Sequence, residues 1–342
     1  MNTFFEFSPS LKFVSYSSVG GYEEKRGTLG ESFDICDESD LFGMDTFEKA
    51  EGEMERVALN VALSKGNISH EDLGLLVAGD LQNQCVSSSS GLFGFGIPYI
   101  GIYGACSTCT EALLVLSSLM TSGKVRYGAA VTSSHNSAAE RQFRFPLEYG
   151  GQRPASAQWT STAAGAFIIS GEDSFLQKAD PGKNKRHASI VSGMPGRIID
   201  GATSDGSNMG AAMAFAAADS IKRYFDITGE AVSDVDLIVT GDLGRVGRDI
   251  LCDVLSRDIP SIKNKHTDCG LILYDDRIQD CHSGASGCGT SAAVLASHFL
   301  PSLEKGDINT ILFISTGALM SPQGLLQGES ILGIAPIIKI KA

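Results

Sequence analysis

The stretch that decides the fold is "GACSTCTEALLVLSSLMTSGKVRYGAAVTSSH", residues 104–135. It runs from small residues around Cys106 into an apolar helix, through a turn at Gly123, and into an apolar strand. A helix start offers free backbone N–H groups and the positive end of the helix dipole, which favour a thiolate. Cys106 is therefore a candidate nucleophile, although most free cysteines are simply small buried hydrophobes.

Outside this stretch, strands and helices alternate along the chain, which predicts an α/β fold. The polar segment 171–187 is the best internal boundary, so we predict an N-terminal half over 1–175 and a C-terminal half over 186–342. The predicted helices cover 46–65, the segment that follows Cys106, 207–225 and 246–257, and the predicted strands cover 73–79, 97–104, 127–134, 165–170, 188–194 and 235–241. A further helix and two strands are predicted from there to the end of the sequence.

The two halves repeat one another. "DLGLLVAGDL" matches "DVDLIVTGDL", which places Asp80 and Asp242 at equivalent strand ends. A second match pairs Gly123 with Gly306, and the same offset carries Cys106 to Gly289. We therefore expect halves related by a pseudo-twofold axis, with one helix start from each half at a common site.

Composition excludes several classes of protein. The 342 residues hold 27 Lys and Arg against 40 Asp and Glu, a formal net charge of −13, so we expect no nucleic-acid partner. The N-terminus lacks the pattern of a signal peptide and no segment is apolar enough to span a membrane, which predicts an intracellular protein. Eight scattered cysteines suggest reduced thiols, and no motif indicates a resident cofactor.

The segment 104–134, with its duplicated βα context, resembles the thiolase superfamily, in particular ketoacyl-ACP synthase III. The resemblance implies two duplicated βα halves in five layers, α-β-α-β-α. Condensing enzymes of this group also use a histidine and a second histidine or asparagine, and here Gly241 and Gly289 stand at those two positions. Glycine has no acid, base or side-chain donor, so we expect no condensing activity. Cys288, beside Gly289, and His282 leave open an irregular thiolase-like arrangement in which Cys106 retains some activity.

A closer similarity is carried by five segments spread over nearly the whole chain: "AGDLQNQ", "GACSTCTE", "SSHNSAAERQFRFPLEYGGQRP", "NMGAAMAFAAADSI" and "STGALMSPQGLLQGESILGIAP". They resemble the stage V sporulation protein AD family. The resemblance implies binding of dipicolinic acid (pyridine-2,6-dicarboxylate), alone or with calcium, during its uptake into the developing spore. It also implies membrane proteins of the same operon as partners and a peripheral position at the inner membrane of the forespore or spore. Condensing enzymes of the superfamily usually pair through strands of the first half, so we also expect a homodimer.

Two other functions remain open at this point: an acyltransferase or hydrolase that uses Cys106, and a scaffold for membrane channel proteins that binds neither kind of ligand. For the binding protein, we expect Cys106 to line the pocket. His135 either lies at the pocket mouth or is an ordinary residue at a strand end. Asp80 either caps the next helix or, with Asn83, supplies oxygen atoms to calcium or to the ligand.

A dianionic ligand requires cations or oriented N–H groups. Arg141, Arg144 and Arg153 concentrate positive charge in an otherwise acidic chain. Either one of them binds a carboxylate of the ligand, or they are solvated or interfacial residues. We also expect Gly241 and Gly289 to leave open the volume that larger catalytic side chains fill in the enzymes.

Overall fold

The computed structural model describes residues 3–144, 152–172 and 186–342. The strands are β1 (Phe5–Gly20), β2 (Ile35–Cys36), β3 (Leu75–Gly79), β4 (Tyr99–Gly101), β5 (Tyr127–Ser134), β6 (Trp159–Thr160), β7 (Ala163–Ser170), β8 (Ser189–Met194), β9 (Ile199–Asp200), β10 (Leu237–Thr240), β11 (His266–Asp268), β12 (Ala285–Ser286), β13 (Thr310–Ile314), β14 (Gly317–Leu319), β15 (Leu332–Ile334) and β16 (Ile337–Lys341). The helices are α1 (Tyr22–Arg26), α2 (Phe47–Gly66), α3 (Val86–Leu92), α4 (Thr108–Met120), α5 (Asn136–Arg144), α6 (Met209–Thr228), α7 (Gly244–Leu255), α8 (Ile262–Lys265), α9 (Cys269–Ile272), α10 (Cys288–Val294), α11 (Leu300–Lys305) and α12 (Pro322–Leu326).

The main sheet shows the duplication directly. From one edge to the middle its order is β4-β3-β5-β7-β1, and from the other edge to the middle it is β11-β10-β13-β16-β8. In each half the three outer strands are parallel and the two inner strands pair antiparallel, and β1 pairs with β8 to join the halves. The predicted equivalence of β3 with β10 and of β5 with β13 is therefore confirmed. The predicted boundary lies mostly outside the described residues, and the extent of each half stays a prediction.

The five predicted layers are confirmed by three apolar clusters. Because side chains alternate across a strand, Leu76 and Ala78 of β3 pack under α2 on the outside, whereas Val77 faces inward. In the second half, Ile238 packs on the outside in the cluster that holds α6 and α7, whereas Val239 faces inward. Helices α4, α10 and α11 lie in the central cluster, between strands of both halves. Within the described ranges, no helix has both the length and the hydropathy needed to cross a membrane.

Two features of the fold bear on the sequence comparison. Gly123 and Gly306, matched by the repeat, both have positive φ (+73° and +85°) after the central helices, where a residue with a Cβ would be strained. The sequence did not predict β1, a 16-residue strand that runs down the middle of the sheet. Its position depends on pairing with β7 and β8, which are distant in sequence.

Candidate functional site

A pocket of about 450 Å³, measured with its open mouth, lies over Cys106. Both halves contribute to it: Cys106 precedes α4 and Ser286 precedes α10, so the predicted meeting of the two helix starts is confirmed. Its lining is mainly apolar and consists of Leu81, Ala105, Cys106, Ala139, Phe143, Arg144, Thr160, Met209, Ser286, Ala318 and Met320.

The thiol of Cys106 belongs to a short chain of polar groups. Its Sγ lies 3.8 Å from Ser286 Oγ, and that hydroxyl donates to Asp242 Oδ2 at 2.9 Å. The single hydroxyl hydrogen of Ser286 is thus used, so the thiol is the donor towards Ser286. Asp242 also accepts hydrogen bonds from the backbone N–H of Gly287 and from Thr316 Oγ1, each at 2.8 Å.

This setting keeps Cys106 neutral. Burial, and then the negative charge of the neighbouring Asp242, raise the pKa of the thiol well above its ordinary value. The expectation that the helix start favours a thiolate is therefore wrong here, because loss of hydration and a buried carboxylate outweigh the helix dipole. Cys106 lines the pocket as predicted, but as a thiol and not as an activated nucleophile.

The expectation that Gly241 and Gly289 open the pocket is also wrong. A Cβ on Gly289 would lie 2.1 Å from the carbonyl oxygen of Ala163, and one on Gly241 would lie 2.7 Å from Ser291 Oγ. These glycines allow close approach of backbone and neighbouring atoms, and neither lines the cavity. The pocket has room because three alanines, 105, 139 and 318, line it.

Asp80 is a capping residue. Its carboxylate is fully buried and accepts three hydrogen bonds of 2.7 Å, from Gln82 N, Ser88 N and Ser88 Oγ. The capping interpretation is therefore supported, and a role as a ligand contact would require breaking these bonds. Asn83 is exposed on the following turn, and neither residue lines the pocket. Among the described residues, no three His, Cys, Asp or Glu side chains are arranged to hold a metal ion.

His135 is not at the pocket mouth. It is fully buried, its Nε2 lies 2.8 Å from the carbonyl oxygen of Asp40, and its ring lies 5.4 Å from that of Phe47. Burial lowers the pKa of the imidazole, so it is neutral at physiological pH. These contacts indicate a structural role for His135.

The three arginines lie in three different surroundings. Arg144 lines the pocket and its guanidinium bonds to Glu140, one helical turn earlier. Arg141, three residues before Arg144 on α5, donates to Glu48 Oε1 of α2 at 2.9 Å. Arg153 lies elsewhere, so among the three candidates Arg144 is the one beside Cys106.

Arg153 lines a second cavity, of about 530 Å³ when measured with its open mouth. Its Nη2 donates to the carbonyl oxygen of Asp280 at 2.5 Å, and its guanidinium lies 4.9 Å from the centre of the Trp159 ring. This cavity lies on the other side of β6, since Trp159 lines it and the next residue, Thr160, lines the pocket at Cys106. The expectation that Arg153 could serve the first pocket is therefore wrong.

Cys288 and His282 do not complete a catalytic set. Cys288 Sγ donates to the carbonyl oxygen of Ser133 at 2.9 Å, and burial raises the pKa of its thiol well above the ordinary value. His282 Nε2 pairs with Asp280 Oδ1 at 2.9 Å, away from the pocket lining. Neither side chain bonds to Cys106.

Sequence reasoning missed most of the actual lining. Phe143, Met209, Ser286 and Met320 come from distant segments, and no local pattern links them. Asp242 was recognised as a strand end but not as the acceptor at the base of the site. The one signal that pointed there was the repeat itself, which predicted that the starts of α4 and α10 meet.

Two matched βα halves around a central helix, with Cys106 just before that helix, define a thiolase-like fold. The fold is similar to 3-oxoacyl-[acyl-carrier-protein] synthase III from Aquifex aeolicus VF5 (TM-score 0.58, 14% identity, 97% of this chain and 100% of that chain). It is also similar to cerulenin-bound OleA of Xanthomonas campestris (TM-score 0.59, 14% identity, 96% and 98%). At such identities the likeness shows the fold alone.

The family follows from sequence. The model for stage V sporulation protein AD (SpoVAD) matches residues 2–341. Stage V sporulation protein AD of Bacillus subtilis (strain 168) is 40% identical over 321 residues, which cover 94% of this chain and 91% of that protein. The chain belongs to the stage V sporulation protein AD family.

Proposed function

We propose that the pocket at Cys106 binds dipicolinic acid, alone or with calcium, and that the protein acts in the uptake of this acid into the developing spore. The resemblance to the family implies this ligand. The observation that carries the proposal is a mainly apolar pocket, open to solvent, with a guanidinium in its wall and a thiol that is not ionised.

The lining suits a flat ring that bears carboxylates. Phe143, Met209 and Met320 offer an aromatic face and two polarisable thioethers to the ring. Arg144 offers a cation to one carboxylate, and the positive end of the α4 dipole suits the other. The ligand would therefore lie between α4 and α5, with its ring against the apolar wall.

We also propose that the protein does not catalyse condensation. Cys106 is neutral, and the nearest polar groups, Ser286 and Asp242, are hydrogen-bonded to one another. An oxyanion donor and a proton-transferring histidine are both replaced by packed glycines. The rival acyltransferase would form a thioester on Cys106, which intact-mass measurement after incubation with an acyl-CoA would detect.

The proposal includes a homodimer and contacts with membrane proteins of the same operon. Strand β4 is an edge of the sheet, and its Tyr99 and Ile100 are 38% and 37% exposed. Phe93, 85% exposed, lies just before it in sequence. This apolar edge supports pairing with a second copy, which light scattering at micromolar concentration would measure. A scaffold without a ligand would share these contacts but not bind dipicolinic acid.

The test is calorimetric titration of dipicolinic acid into the wild type and two variants, with and without calcium. Arg144→Gln removes the guanidinium from the pocket wall, and loss of such a charged partner costs about 2–5 kcal/mol, so we expect affinity to fall by at least ~30-fold. Arg141→Gln is the matched control on the same helix, and its affinity should be that of the wild type. Absence of binding by the wild type, or equal losses in both variants, would contradict the proposed site.

A further inference from the structure

The pocket's guanidinium already has a partner. Arg144 Nη1 donates to Glu140 Oε1, one turn earlier on α5, and both side chains are more than two-thirds buried. Glu140 lies on the same stretch of helix as Ala139 and Phe143, which line the cavity. A carboxylate therefore lies beside the one guanidinium that lines the pocket within the described part of the chain.

This arrangement changes what Arg144 can contribute. A ligand carboxylate that binds Arg144 displaces Glu140, so one ion pair replaces another and the net gain is small. The displaced Glu140 stays on the same helix turn and repels the ligand. If Arg144 is removed alone, Glu140 is left uncompensated beside the pocket, and most of the loss of binding then comes from repulsion.

We propose that Glu140 is a determinant of ligand affinity and opposes anionic ligands, and that Arg144 is required because it neutralises Glu140. This inference rests on the proposed binding of dipicolinic acid. Without a ligand Arg144 bonds to Glu140, and a bound ligand carboxylate takes the place of Glu140 on the guanidinium. Such a competitor lowers the affinity of the pocket for an anion.

The other arginine of α5 provides an internal comparison. Arg141 bonds to Glu48 of α2 at 2.9 Å, so it is also paired with a glutamate. Neither Arg141 nor Glu48 lines the pocket. Removal of that pair changes the charge of the protein in the same way but should not affect the ligand.

The experiment is a double-mutant cycle measured by calorimetric titration with dipicolinic acid. We expect Glu140→Gln to raise affinity about fivefold. An exposed i,i+4 ion pair changes an equilibrium constant roughly twofold, and the more buried pair of Arg144 and Glu140 should have a larger effect. Arg144→Gln should lose at least ~30-fold, and the double variant should return to within about fivefold of the wild type. The control cycle, Glu48→Gln and Arg141→Gln, should leave affinity unchanged in all four proteins.

The outcomes separate the two claims. Two results would overturn this inference and leave the proposed function standing, provided that the wild type binds dipicolinic acid. In the first, the double variant binds as weakly as Arg144→Gln. In the second, Glu140→Gln binds more weakly than the wild type. No binding by the wild type would overturn the proposed function and this inference with it. Thermal unfolding of each variant shows whether it is folded under the titration conditions.

Discussion

Glu24 gives the protein a pH dependence of stability that can be worked out from the structure. This glutamate of α1 is 1% exposed and accepts hydrogen bonds of 3.1 Å from the backbone N–H groups of Gly21 and Thr162. The hydroxyl of Tyr274, from the other half, also donates to it. Burial raises the pKa of Glu24 from 4.5 to about 7, and the bond from Tyr274 partly opposes that shift.

The direction in which the free energy of unfolding changes with pH follows from proton binding by Glu24. Between pH 4.5 and about 7 the folded protein holds a proton on Glu24 that the unfolded chain has lost, so the free energy of unfolding falls as pH rises through this window. A raised pKa of this size corresponds to about 3 kcal/mol in total, with a slope approaching ~1.4 kcal/mol per pH unit. Above the folded pKa the contribution is constant.

The perturbation is Glu24→Gln, which keeps the shape but cannot titrate. Urea unfolding of variant and wild type between pH 4.5 and 8 gives the difference in unfolding free energy at each pH. We expect that difference to shift in favour of the variant by about 3 kcal/mol from pH 4.5 to 7. Glu71→Gln, at an exposed glutamate, is the control. A difference for Glu24→Gln that stays flat within ~0.5 kcal/mol would refute the reasoning.

Two further predictions concern the site. Gly289→Ala should destabilise the fold by about 3 kcal/mol or more, because its Cβ would meet a backbone oxygen at 2.1 Å, whereas Gly94→Ala, with open space at its Cβ, should change stability by less than ~1 kcal/mol. Urea unfolding measures the stability of both variants, and equal stabilities would show that Gly289 is not tightly packed. Cys106 should react with iodoacetamide at pH 8 at least ~10-fold more slowly than free cysteine, because the pKa of its thiol is raised well above the ordinary value. Peptide mass spectrometry follows the labelling, and modification of Cys106 faster than that of free cysteine would show an activated thiol.

Features set by local pattern or by repetition were predictable from sequence. The alternation of strands and helices follows from the spacing of apolar residues, and α2, β3, α4 and β5 lie where that spacing places them. The pseudo-twofold relation followed from repeated segments, because similar sequences fold into similar βα units. Cys106 at the start of a central helix was visible for the same reason.

What only the tertiary structure decided depends on contacts between distant segments. Arg141, Arg144 and Arg153 look like one basic group in sequence, yet the elements packed around each of them place them beside Glu48, Glu140 and Trp159. A sequence comparison suggests that Gly289 leaves space where a larger side chain would lie, but atoms of Ala163 and Ser134 occupy that space. Close packing and the loss of hydration are properties of the assembled interior, so they fix which cation meets a ligand and whether a thiol ionises.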